Sequence, residues 1–278
     1  MAGMLYLVPT PIGNLGDISV RCRETLESAD FIAAEDTRVS LKLLNHLGIK
    51  KSLVSYYEHN KTFKGNMIVE RILAGETCAL VSDAGSPAIS DPGEDLVKQC
   101  AEAGITVCAI PGPCAAITAL SISGQATGRF CFEGFLSTSK KSRREHLESL
   151  KKEQRTMIFY EAPHKLLATL EDMAEVFGND RSISLCRELT KLHEEVVRTT
   201  LGGAIEKYRE NGPKGEFVLI LAGAEPEIEE LPTQEDAAAY LSRLIASGMS
   251  KKDAVKQTAK DLKLPKNEVY DLALKLEE

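Results

Sequence analysis

The sequence lacks the motifs by which the commonest nucleotide, metal and acyl-transfer sites are recognised. It has no G-x-x-x-x-G-K-[ST] phosphate loop and no complete G-x-G-x-x-G, for which Gly13 and Gly16 leave only a G-x-x-G-D fragment. It also has no H-E-x-x-H, no C-x-x-C, no clustered His and Cys, and no G-x-S-x-G. The sequence therefore gives no motif evidence for a phosphate-binding loop, a metal centre or a serine hydrolase. We expect no metal site.

An excess of positive charge is also missing. The 278 residues carry 34 Lys and Arg against 41 Asp and Glu, a net charge of −7, which by itself gives no sign of a nucleic-acid partner. The seven cysteines form no C-x-x-C pair, and an odd number cannot pair fully within the chain. This predicts a reduced, cytoplasmic protein with buried thiols.

Targeting and membrane signals are absent as well. The amino terminus has no basic segment followed by an apolar stretch, so we expect a first strand there and no signal peptide. Residues 105–128 carry no formal charge, but Pro111-Gly112-Pro113 interrupts them. We predict a buried strand, a tight turn and a helix in this segment, and no membrane partner.

Short apolar runs alternate with helical periodicity along most of the chain, and 43% of the residues are apolar. Up to residue 124 this pattern predicts an α/β fold with a mostly parallel sheet, and after residue 124 the alternation continues with different proportions. The predicted strands lie at 5–8, 31–34, 53–56, 78–82, 106–110, 131–136, 156–161, 182–187, 195–200 and 216–222. The predicted helices lie at about 19–28, 38–47, 65–74, 93–103, 140–153, 164–177 and 202–210.

The composition predicts three domains. Two unequal α/β domains, 1–124 and 125–225, meet at a predicted hinge. There Gly124 and Gly128 flank three residues that favour neither a helix nor a strand. An acidic, proline-bracketed linker at 225–232 leads into a helical tail, 231–278.

Capping residues place the helices of this tail. Thr233 and Ser250 stand where helix caps are expected, and a third helix is predicted from about Lys266. The spacing suits a helix-turn-helix, and it equally suits a tail that packs on the body or on a partner subunit.

Three loops that follow predicted strands share proline and small residues. They are 9–14, 82–87 and 111–116. Because ligands of an open α/β sheet bind beyond the carboxyl ends of its strands, these loops can converge on one site. The helix that starts at Cys114 adds unpaired backbone N–H groups there. For a single loop, ordinary turn chemistry explains the pattern equally well.

The loops resemble those of the class III S-adenosylmethionine-dependent methyltransferases, the tetrapyrrole (corrin/porphyrin) methylase family. Within that family the detail is similar to a bacterial branch that methylates the ribose 2′-hydroxyl of a cytidine in 16S ribosomal RNA. The resemblance covers about 1–225, and the helical tail matches an extension of that branch. The segments that carry it are LVPTPIGNLGD (7–17), AEDTR (34–38), LVSDAGSP (80–87), ISDPG (89–93), PGPCAA (111–116), FYEAPH (159–164) and CRELTK (186–191).

The resemblance implies two unequal α/β domains, a homodimer, and S-adenosylmethionine in the cleft between the domains. The family loop has an Asp where this chain has Ser86, so contacts made there by a carboxylate must come from elsewhere, such as Asp83 or backbone carbonyls. Carried over position by position, the expected cofactor-binding residues are Pro11, Ile12, Asp83, Ala84, Gly85, Ser86, Ile89, Cys114 and Ala115.

Methyl transfer depends mostly on positioning, but a ribose hydroxyl is a poor nucleophile that benefits from a base or a nearby cation. Polar residues at strand ends supply the candidates: Glu35, Asp36, Arg38, His59, Asn60, Glu161, His164, Arg187, Glu188 and Lys191. From these we predict four catalytic residues, Asp36, Glu161, Arg187 and Lys191. The alternatives are that Asp36 only caps a helix and that Arg187 belongs to a surface ion pair.

One basic segment carries the argument about the substrate. Residues 137–155 contain seven Lys or Arg and three Glu, a local net charge of +4. The cations Lys140, Lys141, Arg143 and Arg144 crowd a predicted helix start, where they oppose the helix dipole. This placement favours binding to RNA phosphates, although a solvated helix face is the usual explanation. The tail, by contrast, has no net charge.

The leading hypothesis is therefore a methyltransferase that acts on 16S ribosomal RNA, free or within the 30S subunit. A first alternative keeps the fold and the cofactor but has a tetrapyrrole as acceptor. A second is a DNA-binding regulator whose α/β body senses a metabolite.

Overall fold

The computed structural model describes residues 3–226 and 234–275. Over these ranges the chain forms ten strands and eleven α-helices. Its contacts divide it into two units, Met1–Ala224 and Glu225–Glu278. The predicted α/β regions on either side of Gly124 both belong to the first unit, and the division at that residue stays a prediction.

The first sheet is parallel throughout, as the sequence predicts. Its strands lie in the order β3-β2-β4-β1-β5. Two of the three inner strands, β2 and β4, consist of apolar residues buried on both faces, which is typical of parallel sheets covered by helices. The strands are β1 (Met4–Leu7), β2 (Phe31–Ala34), β3 (Ser52–Ser55), β4 (Cys78–Val81) and β5 (Thr106–Ala109).

Helices cover both faces of this sheet. The core on one face includes Leu26 and Leu44 from α1 and α2, and the core on the other includes Ile68 and Leu96 from α3 and α4. These four helices are α1 (Val20–Ser28), α2 (Thr37–Leu47), α3 (Lys61–Leu73) and α4 (Glu94–Glu102).

The second sheet is mixed. Its order is β6-β7-β10-β8-β9; only β6 and β7 pair in parallel, and the other three pairs are antiparallel. One face packs on α6 (Lys140–Ser149), α7 (Pro163–Phe177) and α8 (Leu201–Asn211), and the other on α5 (Ala115–Ser123). The strands are β6 (Phe130–Phe135), β7 (Thr156–Glu161), β8 (Ser182–Arg187), β9 (Glu195–Thr200) and β10 (Phe217–Leu221).

The predicted elements are confirmed, most with ends within one residue of the prediction and two helices with larger shifts. Helix α3 begins four residues before its predicted start at 65, and α6 ends at Ser149 rather than at 153. The uncharged segment 105–128 divides into β5, a turn and α5, as predicted. No described helix has the length and apolar character needed to cross a membrane.

The tail forms three helices, α9 (Gln234–Ala246), α10 (Lys251–Asp261) and α11 (Lys266–Lys275). They share a small core that includes Leu241, Val255 and Val269. The Ser250 side chain caps α10 by accepting a hydrogen bond from the Asp253 N–H, as predicted. The predicted cap Thr233 and linker residues 227–232 lie outside the described residues.

Candidate functional site

The strand order explains why the three Pro- and Gly-rich loops meet. They follow β1, β4 and β5, and the order β4-β1-β5 makes these strands neighbours. Thr10 and Gly85 exchange two backbone hydrogen bonds of 2.9 and 3.0 Å, which joins the first loop to the second. The Ser86 hydroxyl donates to the Pro113 carbonyl at 2.9 Å, which joins the second loop to the third.

Gly85 is required at the centre of this loop cluster. Its φ of +86° lies in the left-handed region, which residues with a Cβ adopt at a cost of about 1–2 kcal/mol. A Cβ there would also lie 3.3 Å from Cγ2 of Ile12. The chain therefore keeps its backbone bare where the loops surround a cavity.

The opposite wall of the cavity comes from the second sheet. Tyr160 of β7 accepts a hydrogen bond from the Ala116 N–H at 3.1 Å, so its hydroxyl binds the first turn of α5. Its ring packs edge-on against Phe132 and Phe135 of β6. Burial raises the pKa of the Tyr160 phenol to about 12, so it stays protonated at neutral pH.

Between the two walls lies a cavity of about 580 Å³, within the range of pockets that hold small organic ligands. Loop residues from the first sheet contribute Ile12, Glu35, Asp83, Ala84, Gly85, Ser86, Ile89, Ser90, Asp91, Cys114 and Ala115. The second sheet and its loops contribute Phe135, Tyr160, Glu161, Ala162, Pro163, His164, Cys186, Leu189, Glu216, Phe217 and Val218.

The lining contains eight of the nine predicted cofactor-binding residues, all except Pro11. Ser86 stands where the family has an Asp, and its hydroxyl donates a hydrogen bond to the Pro113 carbonyl. Asp83 lines the cavity, and its carboxylate accepts the Asp36 N–H at 3.0 Å. A carboxylate is therefore present at this loop, three positions before the residue that the family pattern suggests.

Three carboxyl groups of the lining form an acidic wall. Burial raises the pKa of Glu35, Asp83 and Asp91. The charges of Asp91 and Asp83 raise the pKa of Glu35 further, while a hydrogen bond with Ser82 opposes the increase at Asp91. None of the three has an ion pair within the described ranges, although the positive charge of Arg38 lowers the pKa of Asp83 and partly opposes the effect of burial.

The two other carboxylates of the lining are neutralised. Lys165 lies 3.3 Å from the Glu161 carboxylate, and Lys191 lies 2.8 Å from that of Glu216. No Lys or Arg belongs to the lining itself. A cavity of this sign repels phosphates and suits an organic cation with an apolar part.

Of the four predicted catalytic residues, Glu161 lines the cavity. Its side chain is buried, and its oxygens accept hydrogen bonds from the Ala162 N–H at 2.8 Å and the Thr169 hydroxyl at 2.6 Å. These contacts hold the carboxylate in one orientation beside Lys165.

The other three predicted catalytic residues lie outside the lining. Asp36 caps α2, and hydrogen bonds from Arg38 lower its pKa to about 2. Arg187 pairs with Glu195 at 3.1 Å. The ammonium of Lys191 binds the lining residue Glu216 at 2.8 Å.

Strained backbone surrounds the cavity. Ala88, Glu188 and Thr190 have φ of +66°, +51° and +65°, although none is glycine. They are chain neighbours of the lining residues Ile89 and Leu189. Strain of this kind persists where the surrounding structure fixes it, and it concentrates at functional sites.

Sequence reasoning missed Asp91 and Tyr160 and assigned no role to Glu35. Asp91 lies in the quoted ISDPG segment, and Tyr160 in FYEAPH, so both stood beside residues that were singled out. From sequence alone, a carboxylate in a loop is usually interpreted as a helix cap or a solvated side chain. An aromatic residue in a strand is usually interpreted as part of the hydrophobic core. The strand order, which the sequence does not state, brings them to one cavity.

The basic helix α6 divides into two kinds of cation. Arg143 is buried, and its guanidinium binds the buried Asp172 carboxylate at 2.6 and 2.7 Å. Lys140 and Lys141 are exposed, with carboxylates no nearer than 3.8 and 3.9 Å, and Arg144 pairs with Glu175. Three of the four residues of the predicted RNA patch, Lys140, Lys141 and Arg144, are therefore surface cations. Arg143 instead links α6 to α7 through its ion pair with Asp172.

Comparison with known proteins gives two family matches. The family described as Tetrapyrrole (Corrin/Porphyrin) Methylases matches residues 4–205. The one described as RsmI C-terminal HTH domain matches residues 232–277.

Relatives similar over nearly the full length carry the name ribosomal RNA small subunit methyltransferase I. The protein of Synechocystis sp. is 50% identical, over 99% of this chain and 99% of its own. The Bacillus subtilis protein is 47% identical, over 97% and 93%. The Escherichia coli O157:H7 protein is 46% identical, over 98% and 95%.

Solved structures share the fold at low identity. A diphthine synthase aligns with a TM-score of 0.60 and 15% identity, over 79% of this chain and 90% of its own. A uroporphyrin-III-C-methyltransferase from Thermus thermophilus aligns with a TM-score of 0.56 and 18% identity, over 78% and 94%.

Proposed function

The chain belongs to the tetrapyrrole methylase family, and from that premise we propose that it methylates the RNA of the small ribosomal subunit with S-adenosylmethionine as donor. The observation that carries the proposal is its similarity, at 46–50% identity over nearly the full length, to proteins named for this activity. The separate match of the tail supports the same assignment.

The cavity fits this donor. S-adenosylmethionine carries its reactive methyl on a sulfonium, so that an acceptor oxygen displaces a neutral thioether. The acidic wall of Glu35, Asp83 and Asp91 favours the positive charge, and the apolar side chains of Ile12 and Val218 suit the less polar part of the molecule. The bare backbone at Gly85 leaves room for it.

We further propose that the acceptor is the ribose 2′-hydroxyl of a cytidine in the decoding region of 16S ribosomal RNA. This finer assignment rests on the resemblance of the loop motifs. Positioning supplies most of the rate, because the hydroxyl must lie about 3 Å from the methyl and opposite the sulfur. Glu161, held by Thr169 and Ala162, is the residue we propose to orient the acceptor, with Lys191 at the rim.

Lys140, Lys141 and Arg144 are proposed to bind RNA phosphates. Two of them are exposed lysines with only distant carboxylates, and all three lie in the first two turns of α6. Flexible ammonium groups bind phosphates as point charges without selecting a base. The patch is therefore expected to hold the RNA rather than to choose the nucleotide.

A homodimer and a cytoplasmic location complete the proposal. The homodimer follows from the family resemblance. The cytoplasmic location is supported by the seven cysteines, which are all free, four of them buried.

The test is methyl transfer from labelled S-adenosylmethionine to small ribosomal subunits that lack the modification. We expect label in the RNA, and nuclease digestion is expected to release it as 2′-O-methylcytidine. Uroporphyrinogen, offered under the same conditions, is expected to remain unlabelled.

Label in uroporphyrinogen and none in RNA would instead establish the tetrapyrrole alternative. Absence of transfer to either acceptor, with sequence-selective retention of duplex DNA, would favour the regulator. Label in the RNA at a base rather than a ribose would reject only the finer assignment.

A further inference from the structure

The helical tail has no net charge over 231–278, but its charges are segregated. Residues 251–266 contain six Lys and two Asp, a local net charge of +4. Both aspartates are already engaged: Asp253 bonds with the cap residue Ser250, and Asp261 accepts from Tyr240 and Gln257. Helix α10 itself contains four Lys and these two Asp, so its net charge is +2.

Three of these lysines form a line along α10. Lys252, Lys256 and Lys260 stand four residues apart, about 6 Å per step along the helix axis. The side chains of all three are exposed. We call them the α10 lysine row.

The α10 lysine row faces away from the core of the three-helix unit. At about 100° per residue, its members point roughly opposite to the buried Ala254 and Val255 of the same helix. Buried residues fix the rotation of the helix, so the row cannot turn inward. Its side chains remain on the solvent side of the unit.

A row of like charges is unfavourable for the helix itself, because cations at i and i+4 repel each other. A solvated helix face more often mixes the two signs, as α6 does with Lys141 and Glu145. The matching partner is therefore a polyanion with regularly spaced charges. A nucleic-acid backbone has that chemistry, and the proposed substrate of this chain is RNA.

We propose that the α10 lysine row binds the phosphate backbone of the RNA substrate. The inference rests on the proposed function for the choice of RNA over DNA. The tail also carries the exposed aromatic side chain of Tyr270 on α11, which suits stacking on an unpaired base. The tail is then a second RNA contact, in addition to the cations of α6.

The test uses the full chain and the variant K252Q/K256Q/K260Q. Affinity for a single-stranded RNA is measured between 50 and 200 mM salt. Each phosphate contact contributes about 0.7–0.9 to the slope of log K against log salt, so the slope is expected to fall by about 2–3. The KM for small ribosomal subunits is expected to rise at least about tenfold, with kcat and S-adenosylmethionine affinity unchanged.

Two control variants make the result specific. K42Q/K50Q/K98Q removes three exposed lysines from the first unit and is expected to behave as the wild type. K252R/K256R/K260R keeps the charges and is expected to keep the slope. Circular dichroism of each variant checks that the helices remain folded.

An unchanged salt slope and KM in K252Q/K256Q/K260Q would overturn the inference, as would an equal loss in K42Q/K50Q/K98Q. Tighter binding of duplex DNA than of RNA, lost in the same variant, would reject RNA as the partner. Failure of the proposed function gives a different result. In that case the wild-type protein transfers no methyl group to RNA, and neither do the lysine variants.

Discussion

At the scale of single residues, three carboxyl groups determine which ligands the cavity favours. Glu35 follows β2, whereas Asp83 and Asp91 both lie in the loop between β4 and α4. Burial keeps the pKa values of all three raised. Two lysines neutralise the other carboxylates of the lining, so the remaining negative charge is concentrated on one wall. A cationic donor gains from that wall, whereas a phosphate is repelled.

The acidic wall makes donor binding depend on pH. As pH falls through the raised pKa values, the three carboxyls take up protons and lose their attraction for a cation. The dissociation constant for S-adenosylmethionine is therefore expected to increase toward acid pH, measured by calorimetry from pH 8 to pH 5. In D83N/D91N we expect binding weaker by about tenfold or more and a flatter pH dependence.

Asparagine keeps an acceptor at both positions, so the Asp36 N–H retains its partner. E102Q, which removes an exposed carboxylate outside the lining, is the control and is expected to match the wild type. Equal pH profiles for D83N/D91N and wild type would show that these charges do not face the donor.

The parts of the site that the sequence predicts are those in which a residue type has one main structural role. Gly85 and its proline-rich neighbours mark turns that few other residues form, so the loops could be predicted. Asp91 was not singled out, and Glu35 was named only among ten candidate polar residues, because a carboxylate in a loop serves equally as a cap, a salt-bridge partner or a ligand. Their role follows from which strands are neighbours.

At the scale of elements, short apolar runs in the sequence predicted where the strands lie. They did not predict which strands are neighbours in a sheet. β6 and β10 are both apolar runs, yet one pairs with β7 in parallel and the other antiparallel. The residue composition of a short strand does not state the direction of its neighbour. The all-parallel first sheet follows from its regular strand–helix alternation, which the second half lacks where β8 leads directly into β9.

Helix α6 combines a structural and a surface role, and substitution is expected to separate them. R143A removes the guanidinium bound to the buried Asp172 carboxylate and leaves only the Lys140 ammonium at 3.8 Å, which costs up to about 3–5 kcal/mol. A fall in Tm of roughly 10 °C is expected. K140Q/K141Q/R144Q is expected to change stability by less than about 1 kcal/mol and to weaken RNA binding.

Thermal unfolding and RNA binding of the two variants provide the comparison. A stable R143A protein would mean that Asp172 finds another partner. Full RNA affinity in K140Q/K141Q/R144Q would reduce the patch to a solvated helix face.

At the scale of the whole molecule, the net charge of −7 averages regions of opposite sign. Negative charge is concentrated at the cavity, where a cationic donor fits, and positive charge at α6 and α10. The total discourages nonspecific binding to polyanions. It permits an RNA enzyme that contacts its substrate through local patches.

The central claim is that the loop cluster around Gly85 holds the methyl donor, and calorimetric titration of S-adenosylmethionine into G85L tests it most directly. G104L is the matched control, because Gly104 has a similar φ of +71° but a Cβ there would meet no atom within 4 Å beyond its chain neighbours. Both variants carry about 1–2 kcal/mol of backbone strain. We predict wild-type binding in G104L and none in a folded G85L; unchanged affinity in G85L would contradict the account.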